Sequence, residues 1–144
     1  MAIPVKLSDL IFRMKFNQKI EPNTLSKNLA NLTFGYEFNQ KIRLNTLPEN
    51  LSSLIFRWDF NQKIKPDILP ENLSSLTFGT CFNQKIKLNS LPRNLTTFTF
   101  GTCFNQNIEL ILSNIKYINF NWLSNIDVSL VWKKFHIIGI LFLI

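Results

Sequence analysis

Leu47-Pro48-Glu49-Asn50-Leu51-Ser52-Ser53-Leu54-Ile55-Phe56-Arg57-Trp58-Asp59-Phe60-Asn61-Gln62-Lys63-Ile64-Lys65-Pro66-Asp67-Ile68 is one turn of a repeat. Its Phe-Asn-Gln step recurs at Phe16, Phe38, Phe60, Phe82 and Phe104, always 22 residues apart. Sliding the chain against itself by that period extends the match to L-P-x-N-L-x-x-L-x-F-G-x-x-F-N-Q-K-I-x-x-x-x. Units are expected over 3–24, 25–46, 47–68, 69–90 and 91–112, with the Leu-Pro step at Leu47-Pro48, Leu69-Pro70 and Leu91-Pro92. From Ser113 only the hydrophobic skeleton survives. A degenerate unit is expected over 113–134, with Tyr117, Phe120 and Trp122 in the places of Leu95, Phe98 and Phe100. Decay of this kind is what the capping unit of a repeat array looks like.

Inside each unit, Leu51, Leu54 and Phe56 and their equivalents end in an apolar/polar alternation, the period of a half-buried strand. A short strand is placed there. Gly35, Gly79 and Gly101 follow, where a chain leaving a strand can need a backbone angle that Gly adopts cheaply. A second alternation, Ile42-Arg43-Leu44 and Ile86-Lys87-Leu88, suggests another extended piece, with Pro22 and Pro66 replacing the Leu in two units. Helix is disfavoured, because each turn carries several Asn, usually a Pro, and no run of good helix formers. One unit cannot bury a core of its own and must stack on its neighbours. The expected fold is mainly β: a right-handed, leucine-rich-repeat-like solenoid of about six 22-residue rungs, with a parallel sheet along one face and little helix.

The full unit resembles the FNIP repeat, a leucine-rich-like family named for its Phe-Asn-x-x-Ile core, here Phe38-Asn39-Gln40-Lys41-Ile42 and its equivalents. The resemblance spans residues 3–112 strongly and 113–134 weakly. The family is known mainly from social amoebae and from large DNA viruses of amoebae. It implies an interaction module. Some members place an F-box-like segment before the repeats, but here the repeats start at Ile3 and leave no room for one. A ubiquitin-ligase substrate adaptor is therefore expected only if the chain is a fragment.

At 144 residues and 46% hydrophobic, the chain is expected to be a single domain over 1–134 with an apolar C-terminal tail over 135–144. The run Ile137–Ile144 is too short to span a bilayer, so capping of the last rung is the expected role. An oligomer contact, an exposed end left by truncation and an interfacial anchor are the alternatives. Met1–Phe16 lacks a signal-peptide core, which points to the cytosol. Of the sequons at Asn31, Asn50, Asn72 and Asn94, three follow from the N-L-S/T of the repeat, and without secretion none is expected to be used.

Catalysis has no visible basis. Cys81 and Cys103 occupy one position on adjacent rungs and are expected as free thiols in a reducing compartment, although their spacing would nearly permit a bond. His136, the single histidine, sits in the apolar tail without a partner set. There are no paired carboxylates outside the repeat, no phosphate-cradling Gly loop and no metal-ligand spacing, so no enzyme, cofactor, metal or small-molecule substrate is expected.

Residues 22 apart form columns, and the columns carry the functional reading. Asn17, Asn39, Asn61, Asn83 and Asn105 are read as a buried structural ladder, their side-chain amides satisfying backbone groups at a bend and each other across rungs. Lys19, Lys41, Lys63 and Lys85, joined by Arg43, Lys65 and Lys87, supply much of the net charge of +7. They are a solvated face that protects a sheet edge or a track for a polyanion, with specific nucleic-acid binding poorly supported because no aromatics interleave. On the strand face the columns hold small residues such as Ser53 and Thr33. Just beyond it, Arg13, Met14, Tyr36, Arg57 and Trp58 break the regularity where later rungs carry Gly or Thr. These are residue types that dominate protein interfaces. With Thr33 and Ser53 they form the candidate surface for another protein, the alternative being that they merely cover the sheet edge. The leading expectation is a non-catalytic protein-binding scaffold; the others are a polyanion binder through the Lys column and a decayed copy of an expanded family.

Overall fold

The computed structural model describes residues 7–107, 115, 117–120 and 141–142. Among the described residues are seven strands: β1 (Asp9–Ile11), β2 (Asn31–Thr33), β3 (Ser53–Ile55), β4 (Ser75–Thr77), β5 (Thr97–Phe100), β6 (Tyr117–Phe120) and β7 (Leu141–Phe142). They form one parallel sheet in chain order. The chain is a parallel β-solenoid of the leucine-rich-repeat type. Its helix content among the described residues is one 3₁₀ turn, Leu88–Ser90.

The register shows why the period specifies the fold. Leu32 lies beside Leu54, and Leu54 beside Leu76, so the 22-residue spacing becomes straight apolar columns running through the core. Leu29, Leu51, Leu73 and Leu95 are buried behind them. Two further columns are phenylalanine. Phe34, Phe56 and Phe78 stack at centroid distances of 5.1 and 5.6 Å. Phe38, Phe60, Phe82 and Phe104 stack at 6.1, 6.2 and 6.0 Å. Within a rung the two rings lie face to face, 3.8 Å apart for Phe56 and Phe60. The inter-rung pairs, nearly parallel with centroids 5.1 to 6.2 Å apart, are offset stacks, which gain beyond the apolar area they bury. In the first rung, Leu10, Phe12, Phe16 and Ile20 are only partly buried, because β1 has a described neighbour on one side alone.

Three expectations are corrected. The second alternation makes no strand. Ile42 is buried, but Leu44 is exposed and is the second residue of a β-turn in which Thr46 N–H donates to Arg43 O at 3.2 Å. The third residue of that turn has φ 61° at Asn45, and its equivalents Asn23 and Asp67 have 62°. Asn and Asp tolerate this conformation, and the Pro preceding two of them presets the turn. In the next unit the 3₁₀ turn replaces it, with Ser90 N–H donating to Lys87 O.

The glycines answer to space and not to a rare φ. A Cβ on Gly79 would fall 1.8 Å from Arg57 O, and one on Gly35 would fall 2.0 Å from Arg13 O. Each glycine lets its rung close onto the backbone before it.

The last units are also out of step with the strict period. Tyr117 pairs with Thr97 and Ile118 with Phe98, so β6 arrives two residues early. Ile115, and not Tyr117, takes the buried place of Leu95, and Tyr117 is exposed. Phe120 lies opposite Phe100, the place expected for Trp122. The sheet then continues past six rungs, because Leu141 and Phe142 pair with Tyr117 and Ile118 as a seventh strand. Ile3, Trp122, His136 and the remainder of the 113–134 unit and of the tail lie outside the described residues.

Candidate functional site

The short turn after each strand positions the candidate surface. There the N–H of Glu37 donates to Met14 O at 3.0 Å and that of Asp59 to Tyr36 O at 2.9 Å. Cys81 N–H does the same to Trp58 O at 2.9 Å. These rung-to-rung bonds hold Met14, Tyr36 and Trp58 in one column. Their side chains are 61%, 39% and 53% exposed, whereas the matching later positions are Thr80 and Thr102. The structure therefore brings three large side chains together on three consecutive rungs.

Arg57 joins this column through Tyr36. Its Nη1 donates to the Tyr36 hydroxyl at 3.1 Å, and its guanidinium carbon stands 5.1 Å from the centroid of that ring. A planar cation above a π face is attracted by the ring quadrupole. Arg13 is exposed on the first rung, and no ion pair of Arg13 or Arg57 is found among the described residues. Thr33 and Ser53, on β2 and β3, are half-buried.

The asparagine ladder has a different construction from the one expected. Asn39 Oδ1 accepts from Asn61 N–H at 3.0 Å and from Gln62 Nε2 at 2.9 Å. Asn17, Asn61 and Asn83 repeat the pair of bonds to the next rung. Asn105 Oδ1 accepts from Gln106 Nε2. The Asn side chains are half-buried or exposed, not buried. Each therefore satisfies one backbone donor and one glutamine, and the glutamine, not a second asparagine, is the amide partner across rungs. A second row went unread: Asn50, Asn72 and Asn94 donate to Lys27, Glu49 and Glu71 carbonyls at 2.8, 2.9 and 2.8 Å. Its signal was the Asn of L-P-x-N, present as Asn28, Asn50, Asn72 and Asn94, which the glycosylation sequon obscured. A third row is made of hydroxyls, with Ser52, Ser74 and Thr96 each donating to the carbonyl one rung back.

Lys19, Lys41, Lys63 and Lys85 are all exposed along one side. Arg43 pairs with Glu21 at 3.6 Å, the one ion pair among the described residues. Cys81 and Cys103 are free thiols on adjacent rungs; burial first, then the neighbouring Cys103 and Asp59, pushes the Cys81 thiol above its ordinary value. Among the described residues no three His, Cys, Asp or Glu side chains are grouped so as to hold a metal ion. Among the same residues no helix is long and apolar enough to cross a membrane.

The FNIP Repeat family model matches residues 16–59, 38–81 and 60–103, overlapping pairs of units that together run through most of the sheet. The chain belongs to the FNIP repeat family. A solved structure similar to this FNIP solenoid is that of CroV588, a circular leucine-rich-repeat protein of a giant virus, with a TM-score of 0.81 and 44% sequence identity. The likeness covers 88% of this chain and 19% of that one, so the FNIP chain spans a minor part of its structural relative. No curated protein matches the chain.

Proposed function

We propose that this FNIP solenoid is a non-catalytic scaffold that holds another protein on the column formed by Met14, Tyr36 and Trp58, with Arg57 and Arg13 beside it. The observation that carries the reading is the exposure of these large side chains on a backbone tied rung to rung. The framework does not require them, since Thr80 and Thr102 close the same turn on later rungs. Tyr, Trp and Arg are the residues that most often supply interface energy, and a preorganised Arg57 loses little freedom on binding. Thr33 and Ser53 extend the surface with small side chains that let a partner approach the strands.

The test is an affinity pull-down from the native host with the wild-type chain and with a Tyr36→Ala/Trp58→Ala variant, alongside thermal unfolding of both. A partner set captured by the wild type and lost in an equally stable variant supports the reading. Retention of the same partners by the variant would move the interface elsewhere.

A further inference from the structure

Farther along each turn the surface changes character, and nothing in the scaffold reading uses it. Lys41 and Arg43 on the second rung and Lys63 and Lys65 on the third line an open trough of about 850 Å³. The apolar wall of the same trough is Leu44, 56% exposed, and Pro66, which takes the place of Leu44 one rung on. We propose that this trough binds an extended, acidic and apolar segment of a partner protein, at a site separate from the Tyr36/Trp58 column.

Charge complementarity argues for the acidic half of that ligand. Lys41, Lys63 and Lys65 have no ion pair among the described residues, and Arg43 has only the exposed Glu21. Within the lining, Asp67 is the sole carboxylate. Neighbouring rungs of a parallel sheet lie about 4.8 Å apart, so these cations repel one another until an anion is shared between them. Lys63 and Lys65 flank the buried Ile64 on a single turn, and both are exposed. Together the four groups make a small grid of positive charge in which only Arg43 has an ion-pair partner among the described residues.

The apolar wall argues for a peptide over a nucleic acid. No aromatic side chain lines the trough, so nothing there can stack a base. Leu44 and Pro66 instead offer a hydrocarbon edge beside the cations. The trough crosses rungs, with residues from the second, third and fourth in its lining. A strand-like segment suits it, because alternate side chains project to opposite sides and can set carboxylates against the lysines and aliphatic groups against Leu44 and Pro66.

The test uses fluorescence anisotropy with the full chain and a labelled decapeptide of alternating Glu and Val. Binding at least tenfold tighter than for Glu-Ser and Lys-Val decapeptides is expected, weakening as salt is raised. Lys63→Glu/Lys65→Glu should lose at least tenfold, with Lys41→Gln/Lys63→Gln as the milder variant should the first fail to fold. Leu44→Ser should weaken Glu-Val several-fold and leave Glu-Ser unchanged. Tyr36→Ala/Trp58→Ala should bind as the wild type does, which separates this site from the scaffold surface. Equal binding of Glu-Ser and Glu-Val, tighter binding of a fifteen-residue oligo(dT), or no binding of any probe would each overturn the proposal.

Discussion

The guanidinium of Arg57 is held by the side chain of Tyr36 on the preceding rung, both as a donor to its hydroxyl at 3.1 Å and above its ring at 5.1 Å. Because both side chains are exposed, the pair contributes little to folding. In a double-mutant cycle of Arg57→Ala and Tyr36→Ala followed by urea denaturation, the coupling should be about 0.5–1 kcal/mol, the range for exposed cation–π pairs. A coupling indistinguishable from zero would mean that Arg57 is not preorganised, and would weaken its place in the proposed interface.

The polar ladder should matter far more to stability. Asn61 Oδ1 accepts from Asn83 N–H at 2.9 Å and from Gln84 Nε2 at 3.0 Å. Asn61→Leu removes the acceptor and strands both donors in a half-buried setting, at a cost of about 1–3 kcal/mol. Asn61→Asp keeps a carboxylate oxygen at the same place and should lose less. Gln84→Ala removes one of the two bonds and leaves the backbone one intact. Urea midpoints in the order wild type, Gln84→Ala, Asn61→Leu from most to least stable are expected; the reverse order of the two variants would contradict the ladder.

Gly79 is where close approach is tightest. A Cβ there would meet Arg57 O at 1.8 Å and Arg57 C at 2.2 Å, and both are backbone atoms that cannot swing away. Gly79→Ala must therefore push the third and fourth rungs apart, costing about 3 kcal/mol, the upper end of the range for overpacking. Thr80→Ala, next in the chain and half-exposed, should fall within about 0.5 kcal/mol of wild type. Comparable thermal shifts for the two variants would rule out the steric account.

The period of the Phe-Asn-Gln step made the sheet legible, because a repeat of constant length can only stack in register, as Leu32, Leu54 and Leu76 do. What failed were readings that carried the period past its end or treated a residue singly. In Asn114-Ile115-Lys116-Tyr117-Ile118-Asn119-Phe120 the pattern of Asn94-Leu95-Thr96-Thr97-Phe98-Thr99-Phe100 survives with two residues deleted before it, a match that strict counting by 22 misses. Leu44 looked like a strand residue by alternation, yet Pro66 in the same column marks a turn. The role of the Gln of Phe-Asn-Gln is hidden from a comparison at 22, because its partner, the Asn of the preceding rung, lies 23 residues away. The candidate column of Met14, Tyr36 and Trp58 was visible as a break in the repeat. Its link to Arg57 was not, since a contact between exposed side chains depends on rotamers that no spacing dictates.

Asp9 gives the N-terminal rung a dependence on pH. Hydrogen bonds from the Ser8 hydroxyl and the Asn31 amide, the latter at 2.6 Å, hold its carboxyl below the ordinary 3.8. A carboxyl with a lowered value in the folded state stabilises that state above the unfolded value, and the contribution is lost as pH falls through the folded one. Between neutral pH and about pH 5 the difference in melting temperature between the wild type and Asp9→Asn should therefore be constant. It should then shift in favour of the variant as the pH drops below 3.8, because the variant carries no carboxyl to protonate at that position. Asn31→Ala removes one of the two donors and should reduce the pH dependence without abolishing it. Parallel melting curves for wild type and Asp9→Asn down to pH 2.5 would show that these two hydrogen bonds do not favour the ionised carboxyl.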